Sequence, residues 1–198
     1  RVIGLEFNSK NKGKAKYYSN IMVINRTFLL NLINESISHG YKNFRDDIIL
    51  VNLRRYNVYA YDFNGYHATI DSLSSYFKHN MELLDKKVRD ELFGARDIYT
   101  KVRDSAPTKY GFSSLVKNSL VSDGCVVEGT VENSILFRGV KVGKGAVVRN
   151  SVIMQDTVIG DGVKLNCVIS DKNVVIRDNR VLSGCEVQPY FLAKGTMI

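Results

Sequence analysis

Two short glycine motifs are the first residues in this chain whose types and spacing suggest chemistry. The segments V-G-K-G and I-G-D-G occupy 142–145 and 159–162. A Gly-x-Gly element can cradle a phosphate, but a phosphate loop occurs once and opens a helix. Here the motif recurs at the interval of the repeat described below, and no helical pattern follows either copy. These glycines are therefore predicted to form the turns of a repeating architecture rather than a phosphate site.

The histidines and cysteines form no catalytic or metal-binding pattern. The histidines lie far apart, at His39, His67 and His79, and the cysteines are Cys125, Cys167 and Cys185. No C-x-x-C pair occurs and no histidine lies near a cysteine, which argues against zinc. Because the repeated region contains no histidine, it lacks the usual general base for acyl transfer and the ligands of a metal-dependent anhydrase. The thiols are predicted to be reduced and buried, and no catalytic residue or metal ligand is assigned.

The charge and composition of the chain restrict its partners. The net charge is +8, and residues 1–95 and 96–198 each carry 14 Lys/Arg and 10 Asp/Glu, so there is no basic tail. The densest basic cluster, KNKGKAK at 10–16, has no interleaved aromatic residue to stack a base, so we expect a solvated loop and no nucleic-acid partner. No apolar run reaches the roughly 20 residues of a membrane span, and no signal peptide is visible. The sequence predicts a cytoplasmic protein without a membrane partner.

The first half of the chain has the pattern of an α/β fold. Apolar residues at helical spacing predict a helix over 27–40, with Thr27 as its N-cap and Gly40 as its end, and a second helix over 71–87. The segments 21–24 and 57–63 have the composition and alternation of strands. Residues 1–95 are therefore predicted to form α/β structure.

The second half of the chain follows a short repeat. The tetrads N-S-L-V, N-S-I-L, N-S-V-I and N-C-V-I begin at residues 118, 133, 150 and 166. This interval is close to three hexapeptides, which make one coil of a left-handed parallel β-helix. Asn or Gly suits the left-handed backbone of the corners of such a coil. We predict this fold for 113–198, with 96–112 as a linker.

Several segments together resemble the glucose-1-phosphate adenylyltransferases (ADP-glucose pyrophosphorylases). GYHATIDSLSSYFKHNMELL (65–84) resembles their G-Y-W-x-D-I-G-T signature and the helix that follows it, and FRDDIIL (44–50) resembles F-G-K-D-I-I-P. Residues 18–33 are similar to their S-M-G-I-Y-V-F segment, 98–111 to the linker and 131–154 to the coils.

The resemblance implies a Rossmann-like nucleotidyltransferase domain followed by a C-terminal β-helix in a tetramer. The family transfers an adenylyl group from ATP, with Mg²⁺, to glucose 1-phosphate, giving ADP-glucose and pyrophosphate for glycogen or starch. Its nucleotide-binding Gly-rich loop, catalytic Arg and Glu-Lys motif precede the segments matched here. We therefore expect this chain to be the C-terminal part of a longer protein, holding a remnant of the α/β domain.

The signature segment departs from the family where the chemistry is expected. The Asp that the resemblance implies as a magnesium ligand falls on Thr69, the neighbouring Trp on His67 and the Gly on Asp71. A hydroxyl group cannot replace a carboxylate that neutralises a divalent ion. These positions are interpreted as a degenerate site, with no cofactor in this chain.

The other family segments are partly retained. Ser19 and Asp47 match, and the resemblance implies that they contact substrate, whereas the Gly that leaves room for sugar is replaced by Ile21. Such losses resemble the D-type, non-catalytic branch of bacterial glycogen synthesis. This branch is expected to pair with a catalytic paralogue, with itself or with both, and to bind a sugar-phosphate or nucleotide effector. The alternatives are an active sugar-phosphate nucleotidyltransferase subunit and a β-helix scaffold without a ligand.

Overall fold

The computed structural model describes residues 1, 2, 4, 18–94, 98–100 and 104–198. They form two compact units, Arg1–Asn64 and Gly65–Ile198. The basic segment 10–16 lies outside the described residues, and the domain limits 1–95, 96–112 and 113–198 remain a prediction. No helix in the described part of the chain is long and apolar enough to cross a membrane.

The first unit contains helix α1, Arg26–His39, and a π-helix, Phe44–Leu50. The side chain of Asn25, not Thr27, caps α1 by accepting the Phe28 N–H at 3.1 Å. The predicted cap was wrong because Thr27 already lies within the helix. Gly40 was predicted correctly as the end of the helix: its φ of 69° is left-handed, which favours glycine at this position.

The two strands predicted in the first unit do not form. The segments 21–24 and 57–63 have no regular structure and belong to no sheet, and the side chains of Val23 and Tyr61 are exposed. A strand requires a hydrogen-bonded neighbour. Among the described residues, the backbone contact from 57–63 to a distant segment is a single bond from the Val2 N–H to the Val58 carbonyl, at 2.9 Å.

The second unit begins with two helices where one was predicted over 71–87. Helix α2 spans Leu73–Glu82 and helix α3 spans Lys86–Phe93. The helix is interrupted because the carboxylate of Asp85 accepts the Lys87 N–H at 2.8 Å and so starts a new helix.

The remainder of the second unit is the predicted parallel β-helix. Fifteen short strands form three parallel five-stranded sheets, in the orders β1-β4-β7-β10-β13, β14-β11-β8-β5-β2 and β15-β12-β9-β6-β3. The strands are β1 Lys109–Tyr110, β2 Leu115–Lys117, β3 Leu120–Val121, β4 Val126–Val127, β5 Thr130–Glu132, β6 Ile135–Leu136, β7 Lys141–Val142, β8 Val147–Arg149, β9 Val152–Ile153, β10 Val158–Ile159, β11 Lys164–Asn166, β12 Val168–Ser170, β13 Val175–Ile176, β14 Val181–Ser183 and β15 Tyr190–Leu192.

The predicted length of the coils is confirmed, but the corner of one coil lies one residue later than predicted. Val142 pairs with Ile159 and Ile159 with Ile176, so each of these aliphatic residues stacks on its equivalent in the next coil. The tetrads at 118, 133 and 150 also stack as predicted. In the next coil, however, Asn166 pairs with Arg149 and Ile169 with Val152. Cys167 rather than Asn166 therefore occupies the corner position of Asn150, and the spacing of the asparagines understates the length of this coil.

The core is an aliphatic column inside the coils. Its members are almost completely buried and include Val127, Val131, Leu136, Val142, Val148, Ile153, Ile159, Leu165 and Ile176. A second cluster lies outside the sheet of β15, β12, β9, β6 and β3, where Phe77 of α2 packs with Val152, Cys167 and Ile169. Helix α2 is therefore fixed to the coils by apolar contacts.

The corners explain the Asn and Gly pattern. Asn118, Asn133 and Asn150 adopt φ between 44° and 46°, and Gly145 and Gly162 adopt φ of 65° and 67°. The second glycine of each Gly-x-Gly therefore supplies a left-handed corner, as predicted.

The thiols are free, and Cys125 and Cys167 are buried. Cys185 is exposed, which contradicts the prediction for that thiol. It lies in the segment 184–189 between β14 and β15, where the regular coil is interrupted.

Candidate functional site

The segment Gly65–Ser72, which carries the family signature, precedes helix α2 without regular structure. His67, Thr69 and Asp71 lie on this segment and are exposed. Three of the predicted positions thus lie close together along one segment of the second unit. Exposure leaves them accessible to a ligand.

Tyr66 anchors this segment to both neighbouring helices. Its backbone N–H donates to Glu91 Oε1 of α3 at 2.5 Å, and its hydroxyl donates to Glu82 Oε2 of α2 at 2.5 Å. Burial, together with the hydrogen bond to Glu82, raises the pKa of the Tyr66 phenol to about 12. The phenol therefore keeps its proton at neutral pH and serves as a fixed donor.

His79 completes the anchor. Its Nδ1 lies 2.8 Å from Glu82 Oε2 and 3.2 Å from the Tyr66 hydroxyl. The hydrogen bond from Tyr66 lowers the pKa of Glu82, and His79 lowers it further, so the carboxylate is ionised and only accepts. His79 must then carry a proton on Nδ1, and the two donors converge on one carboxylate oxygen. The arrangement positions the segment and offers no free general base at this carboxylate.

Asp71 is engaged in starting helix α2. Ser72 and Ser75 form a reciprocal cap: the Ser75 N–H donates to Ser72 Oγ at 3.1 Å and the Ser72 N–H to Ser75 Oγ at 3.0 Å. The Asp71 N–H also donates to Ser75 Oγ, and hydrogen bonds from Ser75 and then Ser72 lower the pKa of the Asp71 carboxyl group. Asp71, in the position of the family's Gly, therefore has a structural use.

The residues present do not fit the magnesium ion that the family resemblance implies. Thr69 offers a hydroxyl group in place of a carboxylate, and the nearby Asp71 carboxylate is held by serines. Across the described residues, no group of three His, Cys, Asp or Glu side chains could hold a metal. A divalent ion prefers carboxylate oxygens, which this segment does not supply freely.

The remaining predicted positions lie in the first unit. Ser19 and Ile21 are exposed in the segment before α1, which has no regular structure. Asp47 lies in the π-helix, where its Oδ2 accepts the N–H groups of Lys42 and Asn43, both at 2.9 Å. These bonds lower the pKa of Asp47. Its carboxylate thus fixes the turn that opens the π-helix, and its predicted role toward substrate stays a prediction.

Sequence reasoning missed the anchor of Tyr66, Glu82 and Glu91. Part of the signal was present, because His79 and Glu82 have the i, i+3 spacing that places two residues on one helix face. No spacing rule, however, links Tyr66 to Glu91, which is distant in sequence and belongs to the second of the two helices that follow. That contact depends on how α2 and α3 turn at Asp85.

A shallow depression lies on the outer surface of the coils. It is open to solvent, has a volume of about 450 Å³, borders the sheet of β4, β7 and β10, and is lined by Glu128, Lys141, Asp161 and Asp178 among others. The carboxylates of the two aspartates are already used: Asp161 Oδ1 accepts the Lys144 N–H at 2.7 Å, and Asp178 Oδ1 accepts the Asp161 N–H at 2.8 Å. They stabilise successive corners.

Comparisons with known proteins agree with this architecture. Residues 106–188 match the family described as GlmU-like, C-terminal hexapeptide. The fold and this match define the class: a hexapeptide-repeat β-helix protein with a helical region before its coils.

The relatives are more specific. The glycogen biosynthesis protein GlgD of Bacillus subtilis is 44% identical over 176 residues, which cover 88% of this chain and 51% of that protein. GlgD of Geobacillus stearothermophilus is 48% identical over the same shares. A glucose-1-phosphate adenylyltransferase of Acetivibrio thermocellus is 33% identical over 83% of this chain and 40% of that protein. The chain belongs to the glucose-1-phosphate adenylyltransferase family, and it spans about half the length of the GlgD proteins it matches.

Proposed function

We propose that this protein acts in glycogen biosynthesis as a regulatory, non-catalytic subunit of the GlgD type. It assembles in the cytoplasm with a catalytic adenylyltransferase paralogue, with itself or with both, in a tetramer. The observation that carries the proposal is Thr69, which stands where the family resemblance implies a magnesium-binding carboxylate. The higher identity to two GlgD proteins than to the adenylyltransferase named above supports the same assignment.

The contacts around Thr69 support the proposal that the segment 65–72 has lost a role in catalysis but keeps its conformation. Tyr66 is held by Glu82 and Glu91, so the segment keeps a defined conformation. Transfer of an adenylyl group requires neutralisation of the developing phosphate charge, for which the family uses Mg²⁺. A hydroxyl group at Thr69 provides no negative charge to bind that ion. A segment of fixed conformation that lacks a carboxylate at position 69 suits binding of a sugar phosphate or nucleotide as an effector better than catalysis.

The decisive test is release of pyrophosphate from ATP and glucose 1-phosphate. The full-length protein alone is expected to be inactive, and adding it to a catalytic paralogue is expected to change the rate or effector response of that paralogue. Substantial activity of the protein alone would contradict the proposal. Co-elution of the two proteins as one complex would report the assembly independently of the rate.

The replacement Thr69→Asp tests the same site directly. We expect it to raise Mg²⁺-dependent activity above the background of the natural protein, because it restores a carboxylate at an exposed position. Thr69→Asn is the matched control, since it has a similar size to Asp without the charge. Equal activity of the two variants would show that charge at this position is not the missing element.

The active-subunit alternative is favoured by the adenylyltransferase relative at 33% identity. It predicts pyrophosphate release by the isolated full-length protein, and the assay above separates it from the regulatory proposal. A scaffold without a ligand predicts no heat in calorimetric titrations with ADP-glucose or phosphorylated sugars. Binding heat without catalysis would support the regulatory subunit.

A further inference from the structure

The last two coils place Cys167 at a corner and Cys185 one residue beyond the equivalent position, Gly184. The Gly184 N–H donates to the Asn166 carbonyl at 2.9 Å, and the Tyr190 N–H donates to the Cys167 carbonyl at 3.0 Å. Both ends of the 185–189 loop are therefore hydrogen-bonded to the segment that carries Cys167. The loop is an insertion that interrupts the coil directly above this thiol.

The register brings the two cysteines within the range of a disulfide. Ser183 pairs with Asn166, so Gly184 stacks on Cys167 and Cys185 is the next residue along. Strands stack about 4.8 Å apart and successive Cα atoms are about 3.8 Å apart, which gives a Cα–Cα distance of about 6 Å. Disulfides bridge Cα atoms separated by about 4.4–6.8 Å.

The two thiols differ in their accessibility. Cys185 is exposed, with its Sγ 3.8 Å from the Gln188 carbonyl oxygen, a weak contact. Cys167 is only 6% exposed, and burial raises the pKa of its thiol, with further contributions from Glu186 and Cys185. An external reagent therefore reaches Cys185 first, and Cys167 is placed to attack the product.

We propose that Cys167 and Cys185 form a reversible disulfide that clamps the 185–189 loop onto the preceding coil. The oxidant is a low-molecular-weight disulfide. The Cys185 thiolate attacks one of its sulfur atoms, forming a mixed disulfide and releasing one thiol. The Cys167 thiolate then attacks the Cys185 sulfur and releases the second thiol. Two protein thiols are oxidised, one external disulfide is reduced to two thiols, and those thiols carry away both protons.

The clamp acts beside helix α2, which gives it a structural consequence. Cys167 packs in the same cluster as Phe77 of α2, together with Val152 and Ile169. Oxidation thus fixes the loop above the point where α2 contacts the coils. It links the redox state of the surroundings to the stability of this end of the β-helix, independently of any activity of the protein.

The test is a peptide map of the full chain under non-reducing conditions after incubation with oxidised glutathione. We expect a linked pair of peptides containing Cys167 and Cys185, lighter by two hydrogen atoms than the separate peptides. Dithiothreitol should separate them, and the oxidised protein should unfold at a higher temperature. Because the buried thiol closes the bond, the linked form should accumulate faster as the pH rises above neutrality.

Three variants make the outcome specific. Cys125→Ser removes the buried thiol elsewhere in the coils and should leave the linked peptide unchanged. Cys185→Ser changes an exposed loop residue and should abolish the link without disturbing the fold. Cys167→Ser should stop the reaction at a glutathione adduct on Cys185. A glutathione adduct on Cys185 of the unaltered protein with no linked peptide, or no reaction at Cys185, would overturn the proposal.

Discussion

Gly143 and Gly145 lie in one corner of the β-helix, but the fold requires them for different reasons. A Cβ atom on Gly143 would overlap Asp161 Oδ1 and lie 2.7 Å from the Gly160 carbonyl carbon. A Cβ atom on Gly145 would meet nothing within 4 Å, but its φ of 65° is left-handed. The first glycine gives the next coil room to stack, and the second lets the backbone turn.

The replacement Gly143→Ala should therefore lower the free energy of unfolding by about 3 kcal/mol, because the backbone of the next coil must move. Gly145→Asn should cost less than about 1 kcal/mol, since asparagine tolerates the left-handed region and the position is open. Denaturant titration of the two variants measures the difference. Equal losses would mean that stacking room at Gly143 is not limiting.

The Tyr66 anchor predicts a particular pH dependence. The pKa of its phenol is 10.0 without the fold and about 12 within it, so the stabilisation is fully present below pH 10 and is lost as the pH rises through 12. The lowered pKa of Glu82 acts at the other end: its contribution is present above its usual 4.5 and is lost as the pH falls through the lower folded value.

Unfolding free energies of the natural protein and of Tyr66→Phe, measured from pH 7 to 12, test the alkaline arm. The difference between the two proteins should be constant up to about pH 10 and then shrink. A difference that is unchanged at pH 12 would show that the phenol proton does not contribute to stability.

At the scale of elements, helix α2 connects the signature segment to the coils. Phe77 is 2% exposed against Val152 and Ile169, whereas Leu73, at the start of the same helix, is 47% exposed. In strand β9, which lies beneath α2, both residues are completely buried. Ile153 lies inside the coil, and Val152 lies under the helix. A covering element explains why the tetrads of this sheet carry two consecutive apolar residues.

Phe77→Ala should reduce the free energy of unfolding by about 3–5 kcal/mol through the cavity it leaves. Amide hydrogen exchange should increase over residues 73–82 and over the 65–72 segment, while the inner strands β8 and β11 stay protected. Leu73→Ala is the control and should cost less than about 1 kcal/mol. Faster exchange throughout the coils would mean that α2 and the coils unfold as one cooperative element.

The coils could be predicted from sequence because each corner repeats a local requirement. Asn118, Asn133 and Asn150 adopt the left-handed backbone that their residue type suggests. The corner was predicted one residue too early, at Asn166 instead of Cys167. The side-chain hydrogen bonds between asparagines of successive coils continue to Asn166, whereas the left-handed backbone turn moves to Cys167. Asn150 Nδ2 still donates to Asn166 Oδ1 at 2.9 Å, while Cys167 adopts the positive φ of 51°. The spacing of asparagines in the sequence reports the stacking of their side chains, whereas the length of the coil is set by the backbone turn.

The helical segments could be predicted less well because their limits depend on competing caps and on neighbours. Asn25 replaces Thr27 as a cap, and Asp85 divides the second helix. The predicted strands at 21–24 and 57–63 have suitable residues but no partner strand among those described. In the candidate site, the positions of His67, Thr69 and Asp71 follow from the resemblance and their roles stay a prediction, whereas the anchor of Tyr66 required tertiary contacts.

At the scale of the whole molecule, the buried core is distributed unevenly. The described residues up to Asn64 contribute four buried apolar side chains, Leu32, Ile48, Ile49 and Leu53, whereas the second unit contains the entire aliphatic column. Stability is therefore not uniform along the chain. The coils form the resistant part.

Limited proteolysis of the whole chain should cut within residues 18–64 first. It should leave a resistant fragment that contains α2, α3 and the coils, because Phe77 holds the helices to them. Mass spectrometry of the fragments identifies the limits. A resistant fragment that begins near residue 104 instead would show that α2 detaches from the coils under native conditions.

The attachment of α2 to the coils also determines where hybrids between this protein and its relatives can be joined. A hybrid joined within 96–112 would place Phe77 of one parent on the outer strand residues of another. A junction at Asn64/Gly65 would keep Phe77, Val152 and Ile169 from a single parent. The transferable module is thus longer than the β-helix itself, and an exchange of β-helices between relatives carries the signature segment with Thr69 along with it.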